Sequence, residues 1–199
     1  MMSEHPEIDE ERTFLLDRQA VRLEDVFRDE DLILDLGGGG EGIIGQLRGR
    51  QVVALDRRKD ELAESAPGPI KIVADAQELP FLDGAFDAAT AFFFLMYVPN
   101  TERMAVLKEA HRVLRPSAML HIWDVTIPPR GESPQEAFVV PVKVELPDKT
   151  IETGYGIRWD GHEMSADSVA DLAKSAGFTL CGSEEDGETF HLALSKGID

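Results

Sequence analysis

The segment LILDLGGGGEGIIGQL, residues 32–47, restricts the possible folds of this chain more than any other stretch. Residues 32–36 are apolar apart from Asp35, which is how a parallel strand buried on both faces looks, and the glycines from Gly37 to Gly42 break it abruptly. A helix is expected to follow. Strand, glycine turn and helix open a βαβ unit, and the next strand must then return parallel through a crossover. Glycine lacks the Cβ that holds other groups off the backbone, so a turn so rich in it lets a ligand lie against bare peptide.

The rest of the chain continues the alternation. Residues 52–55 form a second apolar run ending in Asp56, residues 70–73 a third leading to Asp75, and residues 86–95 a fourth. Asn100 or Thr101 can cap a helix carrying Met104, Leu107, Ala110 or His111, and Leu114 at helical spacing, with Pro116 as its stop; residues 119–125 then read as strand five. Residues 127–163 interrupt the rhythm: 139–146 and 150–159 are strand-like around a turn at Pro147, Asp148 and Lys149, which predicts a β-hairpin insertion. Ser165 caps a helix with Val169, Leu172 and Ala176 on one side and Gly177 at its end, and residues 178–181 and 189–194 make a closing antiparallel pair. Before all of this, Phe14, Leu15, Val21 and Phe27 lie among charges in a broken helical pattern, so residues 1–30 are expected to form a short helical cover over the mouth of the site. The predicted fold class is α/β, a Rossmann-like, doubly wound and mostly parallel sheet with helices on both faces, in one domain spanning residues 1–199.

Composition narrows the function. A chain of 199 residues, 43% apolar, closes one sizeable core. No apolar run reaches the length of a membrane span, and MMSEHPEIDEER lacks the pattern of an export signal, so a cytoplasmic protein is expected. Cys181 is alone, and no Cys and His cluster has metal-ligand spacing, so no metal is expected. A net charge of −18 opposes the phosphate contacts from which nucleic-acid binding draws its affinity, and no nucleic-acid partner is expected.

Asp56 lies at the carboxyl end of the second strand, where a carboxylate can accept from both hydroxyls of a ribose. Asp75, in the same layer, is placed to accept from an adenine amino group beside the Ala76 backbone N–H. The loop alone is ambiguous, because Gly37, Gly39 and Gly42 also satisfy the dinucleotide pattern G-x-G-x-x-G. Three further features accompany it: Asp35 just before the loop, IVADAQELPFLDGAFD, and KEAHRVLRPSAMLHIWDV. Together these resemble the class I S-adenosylmethionine-dependent methyltransferases, specifically their small-molecule, quinone-biosynthesis-like group, over about half the chain from Leu32 to Val125.

The resemblance implies S-adenosylmethionine as cofactor. It places Asp35, Leu36, Gly37, Gly38 and Gly39 around the methionine part, Asp56 and Arg57 at the ribose, Asp75 and Ala76 at the adenine, and Phe92 at the tip of strand four beside the cofactor. Two departures stand out. Glu41 occupies the usual place of a third loop glycine and is expected to face the cofactor ammonium, and Pro116, Ser117 and Ala118 stand where the family reads Pro-Gly-Gly. The stretch FFFLMYVPN lacks the Asn/Asp-Pro-Pro tetrad of the amino-methylating members, which points away from exocyclic amines.

A sulfonium methyl is already electrophilic, so the implied reaction is in-line transfer to a small-molecule acceptor, governed by positioning and exclusion of water. Tyr97, Asp124 and His162 are the catalytic candidates, with Thr126 also near the carboxyl edge. The insertion is expected to act as a lid over an apolar acceptor, as an edge that pairs with a second subunit, or only as an extra layer of core, giving a monomer or a homodimer. The rival readings are a cofactor-binding protein without transfer activity and an NAD(P)-dependent oxidoreductase. The missing Tyr-x-x-x-Lys pair argues against the latter.

Overall fold

The computed structural model describes residues 10–198 and contains two sheets. The larger has seven strands: β3 (Ile33–Leu36), β4 (Val52–Asp56), β5 (Ile70–Val73), β6 (Phe86–Phe92), β7 (Leu114–Val125), β10 (Phe178–Asp186) and β11 (Thr189–Lys196). Their order is β10-β11-β7-β6-β3-β4-β5. The pairs from β5 to β7 are parallel, whereas β11 runs antiparallel to both β7 and β10. The apolar runs read from the sequence become these strands because both faces are covered: Ile33, Leu34, Val52, Ala89, Leu120 and Ile122 are fully or almost fully buried. The chain winds outward in two directions from β3, so right-handed crossovers put α1 (Ile43–Arg48) and α2 (Lys59–Glu64) on one face and α3 (Arg103–Val113) and α4 (Ala166–Ser175) on the other. α4 starts at the expected cap, where Ser165 and Ser168 form a reciprocal capping box.

The smaller sheet holds β1 (Thr13–Leu15), β2 (Gln19–Arg22), β8 (Ala137–Glu145) and β9 (Thr150–Arg158). β9 pairs antiparallel with β8, while β1 and β2 lie end to end along the other edge of β8, both parallel to it. The expected N-terminal helices are therefore corrected to strands over residues 13–15 and 19–22; residues 1–9 lie outside the described part. A strand needs a partner, and β8 supplies one from more than a hundred residues away, which no local pattern encodes. Phe14 stacks on Phe138 at 5.7 Å, and the side-chain oxygen of Gln19 accepts from the Glu188 amide at 2.9 Å, which joins the small sheet to the β10–β11 turn.

Two other boundaries differ from expectation. Glu102, not Asn100 or Thr101, precedes α3, and the Asn100 amide instead donates to Glu163 at 2.8 Å. Pro116 does not end a helix: α3 stops at Val113 and β7 begins at Leu114, so Pro116 lies within the strand. The segment after β5 forms no helix. Arg112 on α3 holds it, donating to the carbonyls of Leu79 and Phe81 and to Asp83 at 2.7–3.0 Å.

Ser117 adopts φ +64°, a left-handed conformation that glycine takes up without strain. A residue with a Cβ is strained there by roughly 1–2 kcal/mol, part of which the extra freedom of glycine in the unfolded chain offsets. Replacing Ser117 with Gly is expected to stabilise the protein by about 0.5–1 kcal/mol in urea unfolding. An unchanged or lowered unfolding free energy contradicts that strain.

Candidate active site

The glycine turn closes back on β4. The amides of Gly37 and Gly38 both donate to the Leu55 carbonyl, at 2.8 and 3.1 Å, and the Gly40 amide donates to the Glu61 carbonyl at 3.0 Å. Gly37, Gly40 and Gly42 have φ between +55° and +74°. A Cβ on Gly37 would overlap the Phe94 ring, and one on Gly39 would lie 2.6 Å from the Glu61 Cβ and 2.9 Å from Asp56 Oδ2. The missing side chains thus admit the protein's own atoms, and they bring the Asp56 carboxylate directly against the loop. Asp56 is half-buried, and its other oxygen accepts from the Arg58 amide at 2.8 Å.

The remaining residues expected at the cofactor divide by exposure. Leu36, Gly38, Ala76 and Phe92 are buried, whereas Arg57 and Asp75 are exposed. Asp75 accepts from the Gln77 amide at 2.9 Å and so stiffens its own turn. Asp35 is 3% exposed and lies behind the loop, where Thr90 donates to Oδ1 at 2.7 Å. Burial raises its pKa to about 7, against the lowering effect of the Thr90 bond and with a further push from Asp56. It supports the loop from beneath Gly38, where a Cβ would lie 2.7 Å from its Oδ2. Glu41 accepts a hydrogen bond from the Thr153 hydroxyl on β9, a contact that ties the glycine turn to the small sheet and that sequence reading did not foresee.

The catalytic candidates converge on the tip of β6. Beyond Phe92 the chain passes Phe93, at φ +47°, into a 3-10 turn at Leu95–Tyr97. Asp124 lies beneath that turn, fully buried, accepting from the amides of Met96 at 3.2 Å and Val125 at 2.9 Å; burial raises its pKa to about 7. Through these bonds it is part of the scaffold of the turn. His162 is likewise a strut: its Nδ1 lies 2.8 Å from the Met96 carbonyl, so that nitrogen carries the proton and donates. Tyr97 is 41% exposed, and its hydroxyl accepts from the Gly156 amide of β9 at 3.3 Å. Burial of the phenol end raises its pKa to about 12, so at neutral pH it is a hydrogen-bonding group and not a base.

Sequence reading missed Arg103. It is buried on α3 and donates to the carbonyls of Leu95, Val98, His162 and Glu163 at 2.9–3.2 Å, which clamps the β6 tip to the segment after β9. An arginine one residue into a helix carries no local signal of that task. His121, expected in strand five, forms a pair with His191 at 3.0 Å and stacks on Trp123, a packed core role.

Residues 34–122 match the methyltransferase domain family. The chain is 33% identical over 134 residues to 27-O-demethylrifamycin SV methyltransferase of Amycolatopsis mediterranei, a match covering 61% of this chain and 48% of that protein. It is 37% identical over 101 residues to demethylmenaquinone methyltransferase of Mycolicibacterium vanbaalenii, covering 49% and 43%. A little under half of the chain, from β3 to β7, thus resembles a methyltransferase domain. The same fold appears in an S-adenosylmethionine-dependent methyltransferase of Methanosarcina mazei, with a TM-score of 0.64, 20% identity, and 87% of this chain and 95% of that one covered. Another, of Mesorhizobium loti, superposes with a TM-score of 0.60 at 16% identity, covering 83% of this chain and 91% of that one. The chain spans less than half the length of the curated relatives named here. Among the described residues no helix is long and apolar enough to cross a membrane.

The buried acid behind the glycine turn gives a signed pH test. Asp35 has a folded pKa near 7 against an ordinary value of 3.8, so the folded state holds a proton that the unfolded state releases between those values. Its contribution is present below pH 4 and is lost as pH rises to about 7, about 4 kcal/mol in all. Asp35→Asn is expected to gain stability relative to the unsubstituted protein between pH 4.5 and 7.5, measured by urea unfolding. A difference that does not vary with pH contradicts the shift.

Proposed function

We propose that the chain binds S-adenosylmethionine at the carboxyl edge of the large sheet and transfers its methyl group to a small-molecule acceptor. The observation that carries this reading is the joint placement of the Gly37–Gly39 backbone and the Asp56 carboxylate, which only glycine at position 39 permits. The donor set fits the group: a half-buried carboxylate at a strand tip suits a ribose diol, and acids suit a ligand with ammonium and sulfonium charges.

Asp56 would hold the ribose hydroxyls and Arg57 would flank them. Asp75 and the Ala76 amide would hold the adenine, while the turn from Gly37 to Gly39 would pass beneath the methionine part. Glu41, already oriented by Thr153, would keep a carboxylate oxygen available to the ammonium group. When bound, the cofactor supplies an electrophilic methyl group, so the protein's task is alignment and exclusion of water. Phe92, Phe93 and Phe94 make the acceptor side apolar, and the small sheet covers it through the Tyr97–Gly156 and Glu41–Thr153 contacts. Asp124 and His162 hold the turn that presents Tyr97, so none of the three candidates acts as a general base in this reading. The net charge of −18 supports an acceptor other than nucleic acid.

S-adenosylmethionine or S-adenosylhomocysteine is expected to raise the melting temperature while NAD does not, because a ligand of the folded state alone stabilises it. Asp56→Ala is expected to weaken S-adenosylhomocysteine binding by about 10-fold or more in calorimetry, for the loss of charged hydrogen bonds. No thermal shift with either form overturns the cofactor, and an unchanged dissociation constant overturns the role of Asp56. Transfer of labelled methyl to members of a metabolite panel tests the reaction itself.

A further inference from the structure

Tyr155 has no task in the reading above, although it lies over the centre of the site. Residues two apart on a strand share a face, so Tyr155 lies on the side of β9 from which Thr153 reaches Glu41. Its ring stacks on Phe93, with centroids 4.7 Å apart and planes 16° apart, and meets Phe92 at 6.5 Å and 71°. Phe93 is itself fixed, its amide donating to the Trp123 carbonyl at 2.7 Å. These two ring contacts fix where the Tyr155 hydroxyl stands. The contacts of its ring with Phe92 and Phe93, and the reach of Thr153 to Glu41 from the same face, put it at the carboxyl edge between the glycine turn and the β6 tip.

Unlike Tyr97, whose hydroxyl is bonded to Gly156, Tyr155 has a hydroxyl with no hydrogen-bond partner among the described residues. Burial first, and then the surrounding acids, push its pKa above the ordinary tyrosine value, so it keeps its proton. No buried side-chain oxygen or nitrogen among the described residues lacks a partner, so this hydroxyl is open to solvent, and a ligand lone pair that replaces water can take its proton as a hydrogen bond. Glu41 is the neighbouring group that is charged at neutral pH, so in the ligand-free protein a negatively charged ligand group there would meet a like charge.

We propose that Tyr155 is a specificity-determining residue of the acceptor site, donating to an oxygen lone pair on an uncharged acceptor and selecting against anionic ones. This rests on the methyltransferase reading and names the kind of acceptor group that reading leaves open. A hydrocarbon of the same shape forfeits the hydrogen bond, and a carboxylate adds repulsion to it.

The test uses three probes of similar shape, acetophenone, ethylbenzene and benzoate, titrated by ligand-detected NMR against the full chain and its Tyr155→Phe variant, with and without S-adenosylhomocysteine. The variant keeps the ring contacts, and its melting temperature, expected to be unchanged, verifies the fold. The unsubstituted protein is expected to favour acetophenone over ethylbenzene by about 3- to 10-fold and to bind benzoate least. The variant is expected to bind ethylbenzene equally well and to lose the preference for the ketone. A preference that survives in the variant, a ketone bound no better than the hydrocarbon, or benzoate bound as well as the ketone overturns the proposal. Calorimetry with S-adenosylhomocysteine reads the cofactor separately, so failure of the methyltransferase reading shows there while the probe series on ligand-free protein still reports on Tyr155.

Discussion

The Leu55 carbonyl accepts from two successive glycine amides, and the carboxyl edge of the sheet is organised around that closure. It draws the turn from Gly37 to Gly39 against β4 so closely that a Cβ on Gly38 would lie 2.7 Å from the Asp35 carboxylate and 2.8 Å from the Ala54 Cβ. Any larger residue would lift the loop off the sheet, away from Asp56 and from the support of Asp35. The glycines therefore serve internal approach first, and ligand approach through it. A cofactor bound here would meet a surface already positioned by the fold, which lowers the ordering cost of binding.

The second half of the site is assembled from distant parts of the chain. The β6 tip is shaped by a buried carboxylate below it, a buried guanidinium behind it and a histidine beside it, from β7, α3 and the segment after β9. A buried charge without partners would be costly, and here each is enclosed by backbone groups of opposite polarity. The small sheet then reaches across, with Thr153 on the glycine turn and Gly156 on Tyr97. The glycine turn and the β6 tip are in this way both joined to the small sheet, so a change in one is felt by the other.

The large sheet was legible because its central strands are buried on both faces and so read as unbroken apolar runs, while Gly and Pro punctuate the turns. The place of Asp56 was legible as the polar end of the second apolar run, where β4 ends. What escaped depended on partners remote in sequence. Phe14, Leu15 and Val21 read as fragments of a helix because their strand pairing is with β8. The partners of Asp35 and Asp124 were not legible, because an acid at a strand's end gives no indication of what lies above it; Thr90 and the Met96 amide come from other parts of the chain. Ser117 shows the converse, a local rule set aside, since tertiary pairing holds a residue with a Cβ in a left-handed turn.

The central claim is that the glycine turn and the Asp56 carboxylate grip one ligand together. A crystal structure of the chain with S-adenosylhomocysteine tests it most directly. The account predicts the ribose hydroxyls on the Asp56 carboxylate and the amino-acid end of the ligand over residues 37–39. Ligand density at another edge of the sheet, or Asp56 turned away from the sugar, would contradict it.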